Sequence, residues 1–95
     1  MPDVIYIFEV EAALELPELG FVIGGFIPFS TEDLPDLNSK LILERPDGTT
    51  LETMVKGFPM VNLGRREGHT HFSIQLPHET AQHGVPNGTK VFFTS

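Results

Sequence analysis

Residues 21–29 read FVIGGFIPF, a stretch with no charged side chain and with two adjacent glycines at its centre. Alternate side chains of a β-strand point to opposite faces, so a strand here would be apolar on both faces. The larger side chains divide into two sets: Phe21, Ile23, Ile27 and Phe29 on one face, and Val22 and Phe26 on the other. Because glycine permits the bends of a small barrel, we expect Gly24 and Gly25 to form a barrel corner.

The segments on either side of this stretch alternate apolar and polar residues with a period of two, which is typical of strands. Residues 69–76 alternate in this way, so His69 and His71 should face solvent. Residues 4–12 should place Glu9 and Glu11 on one face, which meets water, and an apolar set on the other. The predicted apolar face of this strand consists of Val4, Tyr6, Phe8, Val10 and Ala12.

Turn residues divide these strands. Pro46 fixes φ, Asp47 accepts local hydrogen bonds and Gly48 adopts a positive φ, so PDG predicts a hairpin. In the following strand, the alternation of apolar and polar residues shifts by one position at Gly57, which predicts a β-bulge there. Residues 78–82 are expected to form a single helical turn.

The chain contains no window long enough for a crossover helix, so the strands should pair mainly antiparallel. We therefore expect one all-β domain over residues 1–95, a small barrel of six or seven mainly antiparallel strands. The side chains predicted to point inward are Phe8, Val10, Val22, Leu41, Leu43, Val55, Phe58, Phe72, Ile74, Leu76 and Val91.

The chain is acidic, and its charged residues are unevenly distributed. The formal net charge is −7, and all six Lys and Arg residues lie in residues 40–95. A nucleic-acid-binding protein usually carries a basic surface, so nucleic acid and anionic membrane are unlikely partners. The acidic residues of the first half serve solubility or form a face for a basic partner. The chain has no cysteine and no membrane-length apolar stretch, and we expect a cytoplasmic protein without a cofactor.

Four short motifs follow one another along residues 5–93: LGFVIGGFI (19–27), VKGFPM (55–60), GHTHFSIQL (68–76) and HGVPNGTKVFF (83–93). Their order resembles that of domain II of the translational GTPases, the β-barrel typified by elongation factor Tu. In that family the first motif reads G-x-V-V-T-G-x-V, and Gly25 and Ile27 stand at its second glycine and the valine that follows. The chain departs from the family at Asn38–Ser39, where a Gly-Asp pair is usual. The resemblance implies a barrel and a docking role without catalytic residues, and no GTPase motif is present.

Two pairs of side chains are candidates for ligand binding. Arg65 and Arg66 form a basic loop tip, which is either a solvated turn or a grip for a carboxylate or phosphate. His69 and His71 share one face of a strand, and they are either solvent-facing or two ligands of a metal site. No nucleophile or pair of carboxylates stands in a recognisable catalytic pattern, so we do not expect an enzyme.

The outer side of FVIGGFIPF needs a cover, because monomers rarely expose large contiguous apolar patches. One possible cover is a lid from the flanking segments, with Leu19, Leu34 and Leu37. The other is a second copy or a protein partner, which makes Phe21 and Phe29 candidate binding residues. We therefore expect a non-enzymatic, protein-docking module. The alternative is a small-molecule or metal-binding protein that uses the histidine pair 69 and 71.

Overall fold

The computed structural model describes residues 4–94, so both ends of the predicted domain lie outside the described residues. The described residues form seven strands and one short 3₁₀ helix, which confirms an all-β fold. No helix among them is long and apolar enough to cross a membrane. The elements are β1 (Val4–Glu9), β2 (Ala12–Leu16), β3 (Gly20–Pro28), β4 (Lys40–Glu44), β5 (Thr50–Met54), β6 (His69–Leu76), the 3₁₀ helix (His78–His83) and β7 (Lys90–Thr94).

The strands form two antiparallel sheets. One has the order β1-β7-β4-β5 and the other the order β2-β3-β6. A single isolated bridge between Gly57 and Gln75 joins the β5 end of the first sheet to β6 of the second. The antiparallel pairing is confirmed, whereas the closure of these sheets into one barrel stays a prediction.

The core lies between the two sheets, and most of the residues that the sequence predicts to point inward belong to it. Phe58 is an exception, since it is 40% exposed and follows the bridging Gly57 outside any strand. Val22 is buried but does not belong to the core cluster, because it lies on the outer side of β3. The buried core side chains are Ile7, Phe8, Val10, Phe21, Ile23, Ile27, Leu41, Leu43, Val55, Ile74, Leu76, Val85, Val91 and Phe93.

Strand β1 does not have the single apolar face that alternation predicts. Its pairing with β7 shifts register between Tyr6 and Phe8, so Ile7 is an extra residue in the ladder. The shift lets Ile7 and Phe8 both enter the core, and it leaves Val4 and Tyr6 on the opposite, solvent side. The prediction was wrong for Val4 and Tyr6, because alternation cannot show where an extra residue interrupts the pairing.

The predicted bulge at Gly57 was also wrong. Strand β5 ends at Met54, and the chain then leaves β4 to pair with β6. Lys56 N–H donates to the Gln75 carbonyl at 2.8 Å, and Gln75 N–H donates to the Gly57 carbonyl at 2.8 Å. The change of apolar phase therefore marks a change of partner strand.

The hairpin at Pro46–Gly48 and the helical turn near residue 78 are both confirmed. Gly48 has φ of 89°, which is the positive φ that the turn requires. The Asp47 Oδ1 atom accepts hydrogen bonds from the Thr49 backbone N–H at 2.9 Å and from its hydroxyl at 2.6 Å. These bonds close the turn between β4 and β5.

The hairpin predicts a pH-dependent stability. The hydroxyl and backbone hydrogen bonds from Thr49 lower the pKa of Asp47 below its ordinary value. The stabilisation that these hydrogen bonds give to the folded state is fully present above the unfolded-state pKa of Asp47. It is lost as the pH falls through the lower folded-state pKa of Asp47. The difference in unfolding free energy between the native chain and Asp47→Asn should therefore shrink as the pH is lowered from about 7 to about 3. Urea denaturation across this range measures it. The control is Asp33→Asn, and an equal pH dependence in both variants would contradict the assignment.

Gly25 gives a second prediction, because β1 crosses β3 at this residue. A Cβ atom on Gly25 would lie 2.6 Å from the Glu9 carbonyl oxygen and closer still to the Phe8 ring. Gly25→Ala should therefore lower the unfolding free energy by more than about 2 kcal/mol. A Cβ on Gly24 would meet mainly the Leu63 side chain, at 2.9 Å, which can move aside. Gly24→Ala is thus the matched control, with an expected loss of about 1 kcal/mol or less. Equal losses in chemical denaturation would show that the crossing is not a tight constraint.

Candidate functional site

The outer side of β3 is covered by residues 57–68 of the connection between β5 and β6, and not by the predicted lid. Its first residue pairs with Gln75 near the end of β6, and β6 begins directly after its last residue. The connection must therefore run back along the length of the sheet. Leu63 lies over Gly24. A Cβ atom added to Gly24 would be 2.9 Å from the Cδ1 atom of Leu63. The predicted lid residues Leu19, Leu34 and Leu37 are exposed instead.

Arg66 fastens this connection to the rest of the chain. Its Nη2 atom donates to both carboxylate oxygens of Glu11, at 2.9 and 2.7 Å. Its guanidinium also lies over the Phe26 ring, 4.6 Å from the ring centroid. Arg66 therefore holds the cover on the outer apolar face of β3. The predicted grip on a free ligand does not describe this side chain, which already binds a carboxylate of its own chain.

The end of this connection lies beside the end of β3, and together they form an open groove. The antiparallel register sets Pro28 opposite His69 and Phe26 opposite His71. Phe29 follows β3, and its backbone N–H donates to the Gly68 carbonyl at 3.1 Å. The groove has a volume of about 750 Å³. We call it the Phe29 groove, and its principal side chains are Phe29, Asn62, Arg65, Arg66, His69 and His71.

The groove brings together five of the six side chains that the sequence suggested for binding. The sixth, Phe21, is buried in the core, so it cannot contact a partner at the surface. It pairs with Leu76 at the opposite end of β3 from the groove. The alternation that placed Phe21 and Phe29 on one face was misleading, because the strand ends at Pro28 and Phe29 belongs to the turn.

Phe29 and Arg65 are exposed residues of the groove that are free to bind. The Phe29 ring is 72% exposed. Arg65 is exposed and forms no side-chain hydrogen bond or ion pair with the residues in the range 4–94. An exposed ring beside an exposed guanidinium can bind an apolar group and a carboxylate or phosphate at the same time.

The two histidines of the groove lack a third metal ligand in the described part of the chain. No group of three or more His, Asp or Glu side chains converges within residues 4–94. His69 Nδ1 lies 2.9 Å from the Glu67 carbonyl oxygen. The remaining histidines, His78 and His83, line other cavities. The groove histidines can therefore act as hydrogen-bonding groups, and a metal site would need ligands from elsewhere.

Sequence reasoning missed Glu11 and Phe26 as the residues that hold Arg66. Glu11 and Arg66 are 55 positions apart, and no local pattern links them. The apolar outer face of β3 indicated that a cover existed, but it did not indicate which segment formed it.

Comparison of the chain with protein-family models, with curated proteins and with solved structures found no match. The resemblance to domain II of the translational GTPases therefore stays a prediction.

The two arginines should differ in their effect on stability. Arg66→Gln removes the Glu11 ion pair and the contact with Phe26, both partly exposed, and should cost about 0.5–1 kcal/mol. Arg65→Gln removes no side-chain hydrogen bond or ion pair among the described residues and should cost close to nothing. Amide hydrogen exchange should also be faster around Leu63 in Arg66→Gln, because the cover is held less firmly. Equal exchange in the two variants would mean that Arg66 does not fasten the connection.

Proposed function

We propose that this chain is a non-enzymatic docking module that binds an acidic segment of a partner protein in the Phe29 groove. One observation carries the proposal: the exposed Phe29 ring lies in the same groove as Arg65, whose guanidinium has no partner among the described residues. Aromatic residues and Arg are enriched at the centres of protein interfaces, where they form the contacts that cost most to remove.

The charge distribution supports an acidic partner. The chain carries a formal net charge of −7, and two of its six Lys and Arg residues are adjacent at this groove. Arg66 is already paired, so Arg65 offers the charge that a partner carboxylate would meet. The acidic remainder of the surface would repel the same partner. Long-range repulsion elsewhere and attraction at one place would guide the partner into the groove.

The resemblance to domain II agrees with this proposal. That domain is a docking barrel, and we propose that the two sheets of this chain belong to the same kind of barrel. The Gly57–Gln75 bridge supports closure on one side, where it connects β5 to β6. On the other side β1 leads directly into β2, and the Glu11 N–H donates to the Gly24 carbonyl at 2.9 Å. A rigid barrel would hold Phe29 and Arg65 in fixed positions for a partner.

The test uses two synthetic peptides that differ only in charge. One contains Leu, Asp and Glu, and in the other Lys replaces each acidic residue. In a nuclear magnetic resonance titration, the acidic peptide should shift the amides around Phe29, Arg65 and His69 saturably, and the basic peptide should not. The double variant Phe29→Ala, Arg65→Gln should lose the shifts, whereas Phe58→Ala, which lies outside the groove, should retain them. Salt should weaken binding, because it screens the exposed charges.

Two results would overturn the proposal. The first is no saturable shift with the acidic peptide up to millimolar concentration, and the second is equal binding by the native chain and the double variant.

Elemental analysis of the purified chain tests the alternative function. Stoichiometric zinc or nickel in the native chain, lost in both His69→Ala and His71→Ala, would show that the chain binds metal. Metal binding would then replace docking as its proposed function.

A further inference from the structure

The outer face of the β1-β7-β4-β5 sheet carries an apolar surface that the proposed groove does not use. Core-facing and solvent-facing residues alternate on β4 and β7, so Ile42 and Phe92 point away from the core. The register aligns Tyr6 with Phe92 and Phe92 with Ile42, which forms a continuous row across three strands. The Tyr6 and Phe92 rings meet edge to face, with their centroids 5.6 Å apart. The apolar residues of this outer sheet face are Val4, Tyr6, Ile42, Met54 and Phe92.

This composition is unusual for the solvent side of an antiparallel sheet, which normally carries polar residues. Val4 and Tyr6 are 55% and 52% exposed, and Met54 is 41% exposed. The connection that covers the other sheet lies over β3, and it approaches this face at Tyr6, which shares a pocket with Arg66. Contiguous exposed apolar surface of this kind marks an interaction site.

The charged residues on the outer sheet face are closer to balance than those of the whole chain, which is acidic. Lys40 forms an ion pair with Glu52 across β4 and β5, at 2.9 Å. Lys90 on β7 lies opposite Glu44 on β4. Lys90 also lies opposite the exposed Glu9 on β1, so two positive and three negative side chains surround the apolar row. Two copies of a chain with net charge −7 repel each other, and they can approach more closely at a face where acidic side chains outnumber basic ones only by three to two.

We propose that a second copy of this chain packs on the outer sheet face, about a two-fold axis that runs parallel to the strands between β7 and β4. The observed register decides which residues would then meet. Phe92 of each copy would lie on Ile42 of the other, and Lys90 of each copy would lie opposite Glu44 of the other. A two-fold contact needs such a self-complementary surface, because the same patch is used twice. Sheets that pack face to face cross at about 30°, which keeps these pairs close to one another.

The size of the outer sheet face sets the expected affinity of the dimer. Strand β1 has six residues and the other three strands have five each, so the face covers roughly 19 by 17 Å, which is below the area of stable specific interfaces. The dimer should therefore form reversibly and dissociate on dilution. It does not rest on the proposed docking function, because the Phe29 groove lies on the other sheet. A failure of either proposal leaves the other unaffected.

Tyr6 is a built-in probe of this contact, since the chain has one tyrosine and no tryptophan. Burial and, to a lesser extent, the charge of Glu9 already raise the pKa of Tyr6. The other titratable side chains that share a pocket with it are Glu11, Arg66 and His69. In the dimer, the phenol would lose more water and would approach Glu52 of the second copy. Both changes favour the neutral phenol and raise its pKa further.

The main experiment measures mass in solution. Sedimentation equilibrium from about 10 µM to about 1 mM, a range that covers weak complexes, should show the mass of the native chain rising from 10.5 kDa towards twice that value. Tyr6→Lys and Ile42→Lys place a charge on the outer sheet face and should remain monomeric throughout. Met60→Lys is the matched control, because Met60 is 92% exposed on the connection over the other sheet, and it should dimerise like the native chain.

A second experiment uses the unmodified chain, so it does not depend on whether a variant folds. The absorbance of the phenolate at high pH should titrate at a higher midpoint as the protein concentration increases. A native chain that stays monomeric at 1 mM, with a Tyr6 midpoint independent of concentration, would overturn the proposal. So would dimerisation that Tyr6→Lys and Ile42→Lys leave unchanged, since the contact would then lie elsewhere.

Discussion

The two sheets are held together where β1 crosses β3, at the contact of Phe8 and Glu9 with Gly25. The Phe8 side chain is completely buried, and the backbone of Glu9 lies against the place where any larger residue than Gly25 would put its Cβ atom. The extra residue Ile7 makes this crossing possible, because it turns β1 so that Phe8 enters the core. The position of β3 depends on the crossing, and β6 pairs along the whole length of β3.

The path of the connection between β5 and β6 follows from this arrangement. After β5, the chain bridges to Gln75 and must return to His69 before it can form β6. The connection runs over the outer side of β3, where Leu63 lies over Gly24 and Arg66 reaches Phe26 and Glu11. The same route delivers Arg65 to the end of β3. A structural need, the covering of an apolar sheet face, thus produces the groove that we propose for binding.

The two sheets differ in how their outer faces are treated. The β2-β3-β6 sheet is covered by its own chain, and the exposed ring at its end belongs to a turn. The β1-β7-β4-β5 sheet leaves Tyr6 open to solvent and surrounds its apolar row with paired charges. One surface presents the exposed Arg65, whereas the other carries nearly balanced charges around apolar side chains. We propose that this division gives a single small chain one site for a different protein and one for its own copy.

The sequence by itself determined the all-β class, the hairpin at Pro46–Gly48 and most of the core, because these depend on local turn chemistry and on the period of the side chains. It also selected Phe29, Arg65, His69 and His71 as candidates for binding. Only the tertiary structure decided that these residues meet in one groove, that Phe21 is buried away from it, and that Arg66 pairs with Glu11. An extra residue in β1 moved Tyr6 to the surface, and a change of partner strand gave Gly57 its role. Such features depend on which strands pair and in which register, and alternation within one segment carries no information about residues on another.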